Sequence, residues 1–135
     1  MQAKPTVFVV DDDSAVRRAI KRLLESVQLT AETYGSAQEF LDGYDPERPG
    51  CLVLDVRMPG MSGLDLQEAL AKRGITIPVI IVTGHAVVPM AVRALQMGAT
   101  QFIEKPFNDQ VLLDAVKQAI SQDADFRRSQ SRLAN

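Results

Sequence analysis

Cysteine is nearly absent from this chain. Cys51 is the only one in 135 residues, so no intramolecular disulfide can hold the fold. It lies inside an apolar run, where a free thiol behaves as a small hydrophobe, and a reducing compartment suits it. Histidine is as scarce. With His85 alone there is no Ser-His-Asp set for nucleophilic hydrolysis. A basic surplus is also missing. The 15 Lys and Arg are outnumbered by 17 Asp and Glu, for a net charge of −2, whereas a nucleic-acid-binding segment usually shows a basic face. No apolar run is long enough to span a bilayer. The opening Met-Gln-Ala-Lys-Pro lacks the apolar stretch of a signal peptide. Together with the lone Cys51, these absences predict a cytoplasmic protein. No Gly-x-x-x-x-Gly-Lys-Ser/Thr loop occurs, which argues against a P-loop nucleotidase.

What is present is a regular alternation. At 135 residues, 46% of them hydrophobic, the chain reads as one domain. A domain of that size can bury roughly two thirds of its unfolded surface without a staple. Short apolar runs at Val7–Val10, Cys51–Leu54, Val79–Val82 and Phe102–Glu104, with a weaker one at Thr30–Tyr34, read as strands. Between them lie segments of helical period. Val16, Ile20, Leu23, Leu24 and Val27 share one face of a helix that Asp13 or Ser14 can cap. Ser36-Ala37-Gln38-Glu39 matches a capping box and starts a second helix reaching about Gly43.

Leu66, Ala69 and Leu70 mark a third helix with Gly74 beyond its end. A fourth runs from about Pro89 to Met97 and stops at Gly98, the expected placement of proline and glycine. Val111, Leu112, Ala115, Val116, Ala119 and Ile120 mark a fifth. Five strands alternating with five helices predict βαβ units and an α/β fold with a parallel sheet covered on both faces. From Ser121 the chain turns polar, with no apolar face beyond Phe126 and Leu133. Residues 122–135 therefore read as a linker, a frayed helix end or a C-terminal helix extension toward a further domain.

The strand ends carry the chemistry. The first run ends on Asp11-Asp12-Asp13, the third on Asp55, the fourth on Thr83 and the fifth on Lys105-Pro106. Parallel strands share one C-terminal edge, and that edge is where α/β proteins bind ligands. Carboxylates gathered within a few ångströms repel one another, and a divalent cation relieves the conflict. Oxygen-only donors, few in number, favour Mg²⁺, with Mn²⁺ an alternative. Lys105 can pair with a carboxylate or with phosphate oxygens, and the Thr83 hydroxyl can donate to a phosphate oxygen. The turn after the first strand is acidic, unlike the Ser/Thr/Gly-rich cradle that a flavin phosphate needs. What remains is a carboxylate that can attack phosphorus beside a metal, a lysine and a threonine.

Asp11-Asp12, then Leu54-Asp55-Val56-Arg57-Met58-Pro59-Gly60-Met61-Ser62-Gly63, Thr83-Gly84-His85 and Lys105-Pro106-Phe107 resemble a bacterial two-component response-regulator receiver domain over about residues 5–121. Thr83-Gly84-His85, Pro89-Met90-Ala91-Val92 and Phe102-Ile103-Glu104-Lys105-Pro106-Phe107 resemble its FixJ-like subgroup, whose members usually carry a C-terminal helix-turn-helix DNA-binding domain. The resemblance implies a flavodoxin-like (βα)5 fold with strand order 2-1-3-4-5. It implies Asp55 as the phosphoacceptor and Mg²⁺ held by Asp11, Asp12, Asp55 and the backbone carbonyl of Arg57. Thr83 and Lys105 would hold the phosphoryl group, and Phe102 would occupy an aromatic switch position. His85 and Arg57 would tune the rim of the site, and Lys105-Pro106 would be cis.

A histidine kinase would be the phosphodonor. The output would be a switched surface on the fourth helix, fifth strand and fifth helix, leading to homodimerisation or to control of DNA through the C-terminal domain. Such a domain catalyses its own phosphorylation and slow dephosphorylation and is not otherwise an enzyme. One departure is visible: Val87 stands where similar sequences have a small polar residue able to cap the fourth helix, with Val88 and Met90 adding apolar surface. Two alternatives stay open. A haloacid-dehalogenase-type phosphatase wants a second Asp two residues after its nucleophile, where this chain has Arg57. A phosphate-independent interaction module would not need the complete acid, Lys and Thr set.

Overall fold

The computed structural model describes residues 4–84 and 88–134, with side chains through 131. Strands β1 (Thr6–Val10), β2 (Thr30–Tyr34), β3 (Gly50–Leu54), β4 (Val79–Thr83) and β5 (Gln101–Glu104) alternate with helices α1 (Ser14–Glu25), α2 (Ala37–Gly43), α3 (Gly63–Lys72), α4 (Val88–Gln96) and α5 (Asp109–Ala134). The strands form one sheet in the order β2-β1-β3-β4-β5, and every pairing is parallel. This is the flavodoxin-like arrangement that the sequence resemblance implied.

The period-two alternation of the strands sorts the core into two layers. Phe8, Val10, Leu52, Leu54, Val79 and Ile81 face one way and pack with Phe40, Leu66, Leu70 and Ala94 from α2, α3 and α4. Val7, Val9, Cys51, Val53, Ile80, Val82 and Ile103 face the other way and pack with Ile20 and Leu24 of α1 and with Leu112, Val116 and Ala119 of α5. Every residue of β1, β3 and β4 is buried, which is why these runs are apolar without a break. Cys51 is buried and free, and its surroundings push the thiol up to about 12, chiefly by desolvation. It is an inert core residue, as its apolar neighbours suggest.

Helix starts follow local chemistry. Asp13 caps α1 by accepting from the amides of Ala15 and Val16. Ser36 caps α2 by accepting from the Glu39 amide. The return bond of the expected capping box is displaced by one residue: Glu39 Oε2 accepts from the Gly35 amide at 2.8 Å. A full capping box closes instead at Ser62 and Asp65 on α3. Helix α4 begins at Val88, one residue before the expected Pro89. Val88 is exposed, and Met90 is half-buried against the core. Val87 lies outside the described residues.

Helix α5 continues to Ala134, so the stretch after Ser121 takes the form of the expected helix extension. The cause is a long-range contact. Asp123 is 3% exposed, and its Oδ2 accepts from the Gly50 amide at 2.9 Å and from Arg127 Nε at 2.8 Å. The Arg127 guanidinium also donates to the carbonyls of Pro46, Glu47 and Arg48 in the loop before β3. One ion pair thus pins the helix extension to the base of the sheet, on the edge opposite the acidic strand ends.

Candidate functional site

Strand register builds the site. Val10 pairs with Leu54, so Asp11 and Asp55, the next residues on each strand, emerge side by side at the C-terminal edge. Thr83 pairs with Glu104, and the Lys105 amide donates to the Thr83 carbonyl at 2.8 Å, so Lys105 leaves the same edge on the adjacent strand. Asp11, Asp55 and Thr83 are all buried, while Asp12 is exposed. Carboxylate oxygens of Asp11, Asp12 and Asp55 lie within 4.8 Å of one another. The three acids predicted to converge do so.

The charges in this cluster are unequally compensated. Lys105 Nζ donates to Asp11 Oδ2 at 2.9 Å but stands 4.0 Å from Asp55 Oδ2. The Asp55 carboxyl is held above its ordinary value, first by burial and then by repulsion from Asp11. Lys105 and a hydrogen bond from the Val56 amide oppose that rise without cancelling it. An added positive charge beside Asp55 would therefore favour its ionised form. Three oxygen donors of one cluster, one of them facing solvent, fit a hard cation that keeps several waters and binds phosphate oxygens.

Other groups shape this edge. Gly63 opens α3 beneath Asp55, and a side-chain carbon there would sit 2.3 Å from the Asp55 carbonyl oxygen. Only glycine allows this approach, and the Gly63 amide uses it to donate to Val56 O at 2.9 Å. Phe102 is half-buried against the α2, α3 and α4 layer, between core and surface. The Arg57 side chain is exposed. The Lys105–Pro106 bond is cis, as the resemblance implied. His85 lies outside the described residues.

One residue at the site went unread in the sequence. Arg17 Nη1 donates to the Asp11 carbonyl at 2.7 Å. It is the fourth residue of α1, and helix side chains tilt toward the N-terminus. A long cationic side chain one turn into the helix after an acidic loop was the available signal.

Comparison with known proteins agrees with this geometry. Residues 7–117 match the response regulator receiver domain family. The chain is 50% identical over 132 residues to nodulation protein W of Bradyrhizobium diazoefficiens, covering 98% of this chain and 58% of that protein. It is 46% identical over 124 residues to the transcriptional regulatory protein FixJ of Azorhizobium caulinodans, covering 92% and 59% respectively. It thus spans about three fifths of the length of these two relatives. The solved structure of the response regulator StyR superposes with a TM-score of 0.93 at 48% identity, over 98% of this chain and 67% of that one. The chain belongs to the response regulator receiver domain family, in its FixJ-like branch.

Proposed function

We propose that this domain takes a phosphoryl group from a phosphohistidine of a sensor kinase onto Asp55 and uses it to switch a surface. The observation that carries the reading is the cluster itself: Asp11, Asp12 and Asp55 within 4.8 Å of one another, with the Lys105 ammonium 2.9 Å from one acid and 4.0 Å from another. An Asp55 carboxylate oxygen attacks phosphorus, an O–P bond forms, the P–N bond breaks, and the departing imidazole takes up a proton. Asp11, Asp12, Asp55 and the Arg57 backbone carbonyl would hold Mg²⁺, which supplies charge neutralisation for the transferring group. Lys105 and the Thr83 hydroxyl hold the phosphoryl oxygens. Water later attacks the acyl phosphate and returns the free carboxylate and inorganic phosphate, with Arg57 bordering its path.

The output reading rests on the α4-β5-α5 face. Val88, Val92 and Leu95 of α4 and Val111 of α5 are exposed, an apolar set suited to a partner. Phosphoryl oxygens draw the Thr83 hydroxyl inward, Phe102 turns into the space vacated, and this face pairs with a second copy. FixJ is described as a transcriptional regulatory protein, and by analogy the switched domain controls transcription through a DNA-binding domain joined beyond α5. No described helix is long and apolar enough to cross a membrane, which accords with a cytoplasmic site of action.

Acetyl phosphate with Mg²⁺ tests the reading. Wild type should be shifted on a phosphate-retarding gel, and both EDTA and Asp55→Asn should abolish the shift, since an amide does not attack phosphorus at a useful rate. A shift retained by Asp55→Asn at the wild-type level would overturn the assignment.

A further inference from the structure

We infer that Arg17 is a positioning residue for the cation site, acting through the Asp11 backbone; the inference rests on the Mg²⁺-dependent reading above. Asp11 is held on four sides. Its amide donates to Tyr34 O at 3.2 Å, its Oδ1 accepts from the Asp13 amide at 3.0 Å, and its Oδ2 accepts from Lys105 at 2.9 Å. Its carbonyl accepts from Arg17 Nη1 at 2.7 Å. The last bond differs from the others because of what it orients. A peptide unit is planar, so fixing the Asp11 carbonyl fixes the plane that runs on to the Asp12 nitrogen and α-carbon. No described side chain holds the Asp12 carboxylate, which is exposed, so its direction depends on that backbone.

The path of the guanidinium is itself built. A side-chain carbon at Gly35 would lie 3.3 Å from Arg17 Nη1 and 3.2 Å from Glu39 Oε2. Arg17 therefore passes over a residue with no side chain, beside the carboxylate that holds the Gly35 amide at 2.8 Å. The bond is short and charge-assisted, and it joins α1 to the metal loop at the cost of placing a cation near another cation.

That cost makes the two possible roles opposite in sign. If Arg17 acted on Mg²⁺ only through its charge, its removal would tighten binding. If it positions the loop, removal weakens binding. The test is isothermal titration of Mg²⁺ into the metal-free protein, with the Mg²⁺-dependent rise in melting temperature as a second readout. Arg17→Met should weaken Mg²⁺ binding by about tenfold, the low end for groups that orient metal ligands from outside the ligand set. Arg17→Lys, which keeps a donor but loses the planar fork, should recover part of that loss. Arg18→Met, the same charge change at an exposed neighbour, should bind as wild type does.

Gly35→Ala, which nudges the guanidinium while keeping its charge, should weaken binding by a smaller factor and decides the matter if Arg17→Met fails to fold. Unchanged or tighter binding in Arg17→Met, or in Gly35→Ala if that variant must decide, overturns the inference while wild-type binding leaves the phosphoacceptor reading intact. Absence of Mg²⁺ binding by wild type would overturn both.

Discussion

Arg127→Met should destabilise the domain although it lies at the end of the sheet opposite the acidic site. The substitution keeps an unbranched apolar stem and removes the guanidinium and its charge. It leaves the Asp123 carboxylate, 3% exposed, with the Gly50 amide as its remaining hydrogen-bond donor, and it strips a donor from three loop carbonyls. The loop cannot back away easily. A side-chain carbon at Gly50 would lie 1.8 Å from the Thr6 carbonyl oxygen, and its φ of +144° is a conformation other residues rarely adopt. Breaking a fully buried pair by removing one partner costs about 3–5 kcal/mol.

The Arg127 side chain is 31% exposed, so water can reach the site, and about 2 kcal/mol is a better expectation. At roughly 2.1 cal/mol/K of unfolding entropy per residue, that lowers the melting temperature by about 7 °C. Urea and thermal unfolding measure the loss, and hydrogen exchange should show faster opening of residues 124–131. Adding Asp123→Asn to Arg127→Met should cost less than the two single effects combined, because the uncompensated charge is gone. An Arg127→Met variant within about 0.5 kcal/mol of wild type, or a strictly additive double variant, would refute the reasoning.

Three further outcomes follow from the site. The Asp55 carboxyl is raised above its ordinary 3.8, mainly by burial; a raised folded value means the ionised form is disfavoured in the fold, so the stability linked to this group is full below the unfolded value and is lost as pH rises through the folded one. Asp55→Asn should therefore be more stable than wild type at pH 7 without Mg²⁺, with the gap closing as pH falls through the raised folded value and gone below about pH 4; a gap that widens on acidification would contradict this. Gly63→Ala forces a carbon to 2.3 Å from the Asp55 carbonyl oxygen and should cost about 2–4 kcal/mol and slow phosphorylation by acetyl phosphate; a variant with wild-type stability and rate would show that the close approach is unimportant. Thr83→Ala should still accept phosphate yet fail to dimerise with beryllofluoride in sedimentation, whereas wild type dimerises. Equal dimerisation of both variants removes Thr83 from the coupling, and a monomeric wild type removes dimerisation through this domain alone.

The strand ends were legible because burial on both faces writes an unbroken apolar run, and the first polar residue after each run marks the edge. Asp11, Asp55 and Thr83 were found that way, Lys105 follows the shorter, half-buried β5, and the register brings all four together. The weaker β2 was also visible at Thr30–Tyr34. What holds the α5 extension was not. Its stretch from Ser121 is polar, and the contact that holds it joins Asp123 to Gly50, 73 residues away, which no local period can report. Nor did sequence assign the carbonyl contact of Arg17, since the acceptor is backbone. The Glu39 side chain chose the Gly35 amide over that of Ser36, a difference of loop geometry, while the Ser62 and Asp65 capping box was present in the sequence but lay within a turn-rich stretch.

Phosphate acceptance by Asp55 is the central claim. Wild-type protein incubated with acetyl phosphate and Mg²⁺, analysed by intact mass spectrometry and then reduced with borohydride, tests this most directly. The protein should gain the mass of a single phosphoryl group, and peptide mapping should find the reduced acyl phosphate at Asp55, with none in the metal-free sample. Phosphate mapped to another residue, or no adduct in the presence of Mg²⁺, would contradict it.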